Sequence, residues 1–383
     1  MDYKNVKVII LGNDHTNTLG VVQCLGRVGV SVSVVLWGAK SGLVASSNFV
    51  DKVYTAATPQ SCIDVIRERF DGEEVAIIAT CDTAAIELER NRLSFGNTFR
   101  FEYAQGEWNI EELCEKDLQV RLAKEAGFNV PWSSKPIESI AGVPEEVPFP
   151  CITKSLVSCK GSKNDLTIVR TREDLLSVVK SLLTHTPRIL LQQYIERDYE
   201  ISILGCGLKD GDCIIPCVEK KLTLYPKNVG LECVADMQPL DDNSISQPIR
   251  NLIKRIGYVG LFSVEMMHCK TDNKFYFTEI NLRNDGANSF VYKYGVNLPL
   301  IHIENLFDKP LTEYSHFQPG YYIWEMHHTL SLVHGQLSLK QWIAELKKSK
   351  GFLTYFANDK KPFYKQYLNW VLNTLHLKKN ESY

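Results

Sequence analysis

The first hundred residues alternate between short apolar runs and helical stretches, and this alternation limits the fold more than any other feature. VKVIIL (6–11), SVSVVLW (31–37) and EVAIIAT (74–80) read as buried strands. The stretch from GNDHTNTLG to Gly29 and the segment SCIDVIRERF (61–70) read as helices. A β-α-β-α-β order predicts a small parallel sheet wrapped by helices and ending near residue 105. Functional groups in such sheets sit at the carboxyl ends of the strands. Here those ends carry Asn13, Asp14, His15 and Asp82.

At 383 residues the chain exceeds one ordinary compact core, which predicts two or three domains in close contact. A net charge of −2 provides no basic field for nucleic acid, so any phosphate binding must be local. The 11 cysteines form no CxxC pair, unlike a zinc ribbon or a secreted disulfide framework, and fit reduced thiols in a cytosol. The apolar run before Gly12 is too short for a signal peptide or a membrane span. A soluble cytoplasmic protein without an integral membrane segment is expected.

GNDHTNTLG lacks the GxGxxG spacing of a dinucleotide loop, and no Walker A sequence occurs. GCGLKDG (205–211) follows a strand and holds a Lys-Asp-Gly turn signal, so it reads as a hairpin rather than a phosphate loop. KDLQVRLAKEAG (116–127) reads as an amphipathic helix ended by Gly127. Prolines spaced over 131–150 mark a boundary. Beyond it, CITKSLVS, LTIVR, a helix over 172–183, RILLQQYI, YEISILGCG and DCIIPCVEKK suggest an antiparallel sheet with helices on one side.

The chemistry concentrates in YVGLFSVEMMHCKTDNKFYFTEINLRND (258–285), two strands around a TDN turn. A turn centred on Asp272 sets Glu265 opposite Glu279. Opposed carboxylates repel, and a divalent cation between them removes the conflict. Strand periodicity adds Asn281 and Arg283 to the Glu279 face. Glu265, Glu279 and the Asn281 carbonyl make a hard-oxygen face suited to Mg²⁺. Arg283 offers a bidentate fork for a phosphoryl or carboxylate group. Elsewhere, Lys154 ends an apolar run before a small-residue loop, SLVSCKGSK. RILLQQYIERDYE offers extended backbone to an adenine edge, with Glu200 in reach of ribose hydroxyls.

In this order the features resemble the ATP-grasp superfamily over roughly residues 5–305. The first hundred residues, including VASSNFVDKVY (44–54), and the later FANDKKPF (356–363) are similar to its carbamoyl-phosphate-synthase-like and D-aspartate-ligase-like branch. The resemblance implies a mixed α/β and α+β fold. A Rossmann-like pre-ATP-grasp domain would cover 1–110, and an ATP-grasp domain 111–310, with a lid at about 130–196. An extension, 311–383, would pack on the ATP-grasp domain. ATP would lie between the lid and the larger subdomain. Lys116 and Lys154 would contact its phosphates, Gln192, Gln193, Tyr194 and Ile195 would form the adenine hinge, and Glu200 would hold the ribose. Lys220 or Lys221 would reach the γ-phosphate. Glu265, Glu279 and Asn281 would bind two Mg²⁺, which Mn²⁺ can replace, and Arg283 would stabilise the reacting intermediate. Closure of the loop over 155–165 would exclude water from an acylphosphate.

Other residues have plainer readings. His327, His328 and His334 lack zinc-motif spacing and read as surface or core histidines. Cys213 and Cys217 read as packing residues. Asp14 and His15 suit either substrate contact or, for Asp14 or Asn17, helix capping. The basic, aromatic segment FYKQYLNWVLNTLHLKK (363–379) reads as a helix packed on its own domain rather than on a membrane. The leading function is an ATP-dependent ligase joining a small-molecule carboxylate to an amine, with an amino acid as one substrate and a homodimer as a common assembly. The competing functions are a bicarbonate-activating carboxylase or carbamoyl-phosphate-type enzyme and a non-catalytic ATP-binding module. The chain has neither a biotinyl domain nor a duplicated half, which weighs against the former.

Overall fold

The computed structural model describes residues 7–38, 41–155, 167–227 and 231–374. The chain divides into two units. The first comprises Met1–Gly127, Tyr199–Met266 and Glu279–Tyr383, and the second comprises Phe128–Asp198 and Met267–Thr278.

The first unit opens with β1 (Lys7–Asn13), α1 (Thr16–Gly26), β2 (Ser31–Trp37), β3 (Val50–Ala56), α2 (Pro59–Arg69), β4 (Val75–Ala79), α3 (Asp82–Arg90) and the short β5 (Phe99–Arg100). These form a five-stranded sheet in the order β3-β2-β1-β4-β5, parallel throughout. The sequence shows three of these strands. The edge strand β3, VDKVYTA, is half exposed along its length and lacks the continuous apolar run that marks a buried strand. The order reverses between β1 and β4, so the loops after these two strands open side by side. Thr80 ties them: its N–H reaches the Leu11 carbonyl at 3.0 Å, and its hydroxyl meets that of Thr18 at 2.8 Å. A Cβ on Gly12 would lie 1.9 Å from the Thr80 hydroxyl, so only glycine fits there.

Next come β6 (Tyr103–Ala104), α4 (Ile110–Leu113) and α5 (Lys116–Ala126). Gly127 caps α5 in the left-handed conformation at φ 102°, as the sequence predicts.

The second unit contains β7 (Cys151–Ser155), β8 (Thr167–Val169), α6 (Arg172–Leu182) and β9 (Ile189–Gln193). The strands pair antiparallel in the order β8-β7-β9. Ile137, Cys151, Val169, Leu175, Val179, Ile189 and Leu191 form its core. Most of the proposed lid loop, residues 156–165, lies outside the described residues.

A nine-stranded sheet follows: six of its strands are β10 (Arg197–Gly207), β11 (Cys213–Ile214), β12 (Cys217–Tyr225), β13 (Leu231–Pro239), β14 (Tyr258–Cys269) and β15 (Phe275–Asn281), β6 joins it along β14, and two strands from later in the chain complete it. The amphipathic α7 (Asn243–Ile256) precedes β14 and ends at Gly257, φ 59°. GCGLKDG forms the expected hairpin: Leu208 N–H bonds the Asp212 carbonyl at 2.8 Å and Gly211 takes φ 87°. After α8 (Asn288–Tyr294) and α9 (Leu298–Leu306), β16 (Gly320–Ile323) pairs with β13. Then come α10 (Glu325–Val333), α11 (Leu339–Lys348), β17 (Ser349–Phe352) and α12 (Lys361–Thr374), with β17 beside β16.

The extension therefore lengthens the sheet, and it also binds the first α/β layer. Asp359, fully buried in the FANDKKPF segment, accepts from Ser47 Oγ at 2.6 Å, Asn48 N–H at 2.7 Å and Gln23 Nε2 at 3.0 Å. Tyr367 and Trp370 of α12 pack against the core, and Asn369 donates to the Ser41 carbonyl at 3.1 Å. Residues 375–379 of the basic segment lie outside the described residues. Among the described residues, no helix is long and apolar enough to cross a membrane.

Candidate active site

The β-pleat arranges the first unit's site. On β12, Glu219 and Lys221 share a face while Lys220 points the other way. Lys221 lies opposite Glu200 of β10 in the antiparallel ladder. Its Nζ is 3.4 Å from Glu265 Oε2 and 3.7 Å from Glu200 Oε2, with only 10% of the side chain exposed. Lys220 instead sits over the Tyr199 ring, 3.5 Å from its centroid. Of the two lysines left open by the sequence, Lys221 is the one that meets the acids. Glu200, expected at a ribose, stands against Lys221.

Burial and crowding then set the protonation. Burial opposes charge on Lys221, but Glu265, Glu232, Glu219 and Glu200 together hold its ammonium above the usual lysine range. Burial pushes Glu265 up to about 7, against the pull of Lys221 and with a further push from Glu279 and Asp285. Burial also raises Glu219 and Glu232, which repel one another. Glu219 and Glu232 were not singled out from sequence. The only signal was VEKK, where the i, i+2 spacing of Glu219 and Lys221 on a strand pairs an acid with a base on one face.

The β14–β15 hairpin closes through Cys269 N–H to the Lys274 carbonyl at 2.8 Å, with Asn273 at φ 57° in the turn. Glu279 Oε2 lies 3.4 Å from Lys116 Nζ at the start of α5. Asn281 donates to Ser263 Oγ at 3.4 Å, and Ser263 donates to Asp285 Oδ2 at 3.0 Å. The expectation that Arg283 continues a strand face needs correction, because β15 ends at Asn281. Arg283 lies in the following turn, held by Asp82 at 3.1 Å and Asp285 at 3.3 Å. Those two acids release it from strand periodicity. Burial would raise Asp285, but Arg283, the Ala287 N–H, Lys221 and Ser263 hold it below the usual carboxylate range. Its signal was in plain view as the last letter of LRND.

Glu265, Glu279 and the Asn281 amide oxygen fit a hard divalent cation. A half-buried carboxylate pushed to about 7 beside a second acid is one that added positive charge would stabilise as the anion. Among the described residues no three His, Cys, Asp or Glu side chains form a metal cage. Such a cation would therefore depend on the amide, water and substrate oxygens as well.

At the carboxyl ends of β1 and β4 the roles divide. Asp14 is consumed by the 41–44 loop, accepting from Ser41 Oγ and the N–H groups of Gly42 and Leu43, and from Val44 N–H at 2.8 Å. His15, rather than Asp14 or Asn17, caps α1. Asp82 remains half exposed beside Arg283.

The other predicted residues belong to the second unit. Gln192 donates to Ser133 Oγ at 3.1 Å, and Gln193 N–H bonds the Trp132 carbonyl at 2.8 Å. Tyr194 N–H bonds the Pro150 carbonyl at 2.9 Å, and Ile195 is buried. Lys154 stands on β7 opposite Leu190. The three histidines of the extension separate: His328 pairs with Glu345 at 2.7 Å, His327 stacks on Trp324 and His334 on Tyr225. Cys213 and Cys217 are buried free thiols.

The ATP-grasp domain family matches residues 122–289. The chain is similar to a formate-dependent phosphoribosylglycinamide formyltransferase of Corynebacterium efficiens, 24% identical over 72% of this chain and 69% of the relative. It is also similar to biotin carboxylase 1 of Bacillus subtilis, 26% identical over 45% of this chain and 41% of that enzyme. In fold it resembles N5-carboxyaminoimidazole synthetase from Staphylococcus aureus, with a TM-score of 0.66 at 14% identity, covering 84% of this chain and 83% of the other. The acid–lysine–arginine centre falls inside the matched stretch: residues 122–289 carry an ATP-grasp domain.

Proposed function

We propose that this protein is a carboxylate–amine ligase that makes an amide bond through an acylphosphate and takes an amino acid as one substrate. The observation that carries this reading is Lys221, a buried ammonium ringed by Glu200, Glu265, Glu219 and Glu232. Its charge is held by the fold before any substrate arrives, which suits stabilisation of negative charge developing on a phosphoryl group.

In this reading the acid's carboxylate oxygen attacks the γ-phosphorus of ATP and ADP leaves. The amine nitrogen then attacks the acyl carbon and phosphate departs with the C–O electron pair. Lys221 and Arg283 hold the charge that builds on the phosphoryl and acyl oxygens. Lys116 and Lys154 contact phosphates, and Gln192 to Ile195 carry the adenine. Glu200 orients Lys221. Mg²⁺ held by Glu265, Glu279 and Asn281 would supply Lewis-acid neutralisation of the phosphates.

The match to a biotin carboxylase favours a second reading, activation of bicarbonate. ADP release with Mg-ATP separates the two. The protein is given pooled L- and D-amino acids, with and without bicarbonate, beside a Glu279→Gln control. Release that needs amino acids and is lost in the variant, with ATP affinity largely kept, supports the ligase. Release that needs only bicarbonate supports the second reading. Full product formation by Glu279→Gln would remove the site assignment altogether.

A further inference from the structure

Beyond residue 310 the chain returns to the strand that carries Glu232, and His327 is the imidazole that meets its backbone there. Strand β16 pairs with β13 in the register Ile323↔Val234, and Trp324 N–H bonds the Cys233 carbonyl at 2.9 Å. Helix α10 therefore begins beside Glu232, a member of the acid cluster around Lys221. His327, one turn into α10, stacks on Trp324 with centroids 3.9 Å apart. Its Nδ1 lies 3.2 Å from the Glu232 carbonyl oxygen. A carbonyl only accepts, so Nδ1 carries the hydrogen in the neutral ring and Nε2 is left with its lone pair. No described residue hydrogen-bonds that Nε2. The ring is half buried, so Nε2 remains reachable.

The charges around it keep the ring neutral. Burial lowers the His327 pKa, the bond to Glu232 opposes this, and nearby His15 lowers it further. His15 in turn lies within electrostatic range of Arg283 and Asp285. The titratable groups near His327 are thus Tyr225 of β12, its ring centroid 6.2 Å away, and His15 after β1, while β13 presents the Glu232 backbone carbonyl.

We propose that His327 is the proton acceptor for the amine substrate. An amine that reaches the site as ammonium cannot attack until it loses a proton. Nε2 takes that proton, the freed nitrogen lone pair forms the C–N bond, and the acyl C–O bond breaks as phosphate leaves with its electrons and takes up the nitrogen's second proton, departing as hydrogen phosphate. The proposal rests on the ligase reading and adds a role for the extension.

The test compares wild type with His327→Asn, which retains an N–H donor near the Glu232 carbonyl but has no basic nitrogen. Two products are followed with Mg-ATP and pooled amino acids as the acid source. One is the hydroxamate formed when hydroxylamine, unprotonated at neutral pH, traps the acylphosphate. The other is the amide formed with an amino acid as the amine. The expected result is hydroxamate within about twofold of wild type and amide formation down by roughly 10²–10⁴-fold at neutral pH, recovering as pH rises. Amide formation near the wild-type rate would overturn the proposal. So would a parallel loss of both products, which marks a structural role. If wild type yields no hydroxamate with any acid, the ligase reading itself fails, and the proposal with it.

Discussion

Gln119 holds both backbone groups of Ile280. Its Nε2 donates to the Ile280 carbonyl at 2.8 Å, and its Oε1 accepts from the Ile280 N–H at 3.2 Å. Strand β15 is the edge of the nine-stranded sheet, so these groups have no neighbouring strand. A buried carboxamide on α5 replaces one, at the peptide between Glu279 and Asn281. Gln119→Leu should strand the Ile280 pair and loosen both proposed metal ligands. A stability loss of about 1–3 kcal/mol is expected from the unpaired groups. The Mg²⁺ concentration giving half-maximal ADP release should rise severalfold. A variant with wild-type Mg²⁺ dependence would show that the clamp does not position the site.

Lys221→Met should remove the cation that, among the described residues, stands against Glu265, Glu219 and Glu232. Taking the partner from buried acids such as Glu219 and Glu232 is strongly destabilising, on the order of 3–5 kcal/mol. ADP release should fall by at least about 10²-fold. Lys220→Met, which removes only a contact with the Tyr199 ring, should cost about 1 kcal/mol or less and spare most turnover. Equal effects of the two substitutions would refute the assignment by strand face.

The raised Glu265 makes stability depend on pH with a defined sign. Its pKa is about 7 in the fold against 4.5 as the reference. The folded state therefore binds more protons between these values, and stability declines as pH rises through that window. The full difference is about 3 kcal/mol for this group. Thermal melts of the ion-free protein from pH 4.5 to 7.5 should show the decline. Glu265→Gln, uncharged throughout, should flatten it, leaving the share due to Glu219 and Glu232. Identical pH slopes in the two proteins would contradict the burial argument.

Asp359→Ala should detach the extension from the first α/β layer. It removes the acceptor of three hydrogen bonds in a fully buried place. The expected cost is about 3 kcal/mol, because Gln23, Ser47 and the Asn48 N–H are left without it. Limited proteolysis should then cut near residues 355–361 faster than in wild type. An unchanged digestion pattern would mean that α12 holds the segment alone.

The sequence by itself settled the parts governed by local periodicity. Apolar runs such as VKVIIL and EVAIIAT announce buried strands because nothing polar interrupts them. Gly127 and Gly211 mark their turns because few other residues take positive φ at low cost. The nearness of Glu265 to Glu279 was legible because a hairpin brings its two arms together without reference to the rest of the chain. Edge strand β3 was not legible, because solvent on one side breaks its apolar pattern. Tertiary structure alone decided which of two adjacent lysines meets the acids, since strand phase depends on the pairing of β12 with β10 and β13. It alone placed Gln119 against Ile280 and His327 against Glu232, across 161 and 95 residues. Such contacts leave no periodic trace, because packing pairs residues whose spacing along the chain carries no information about their distance in space.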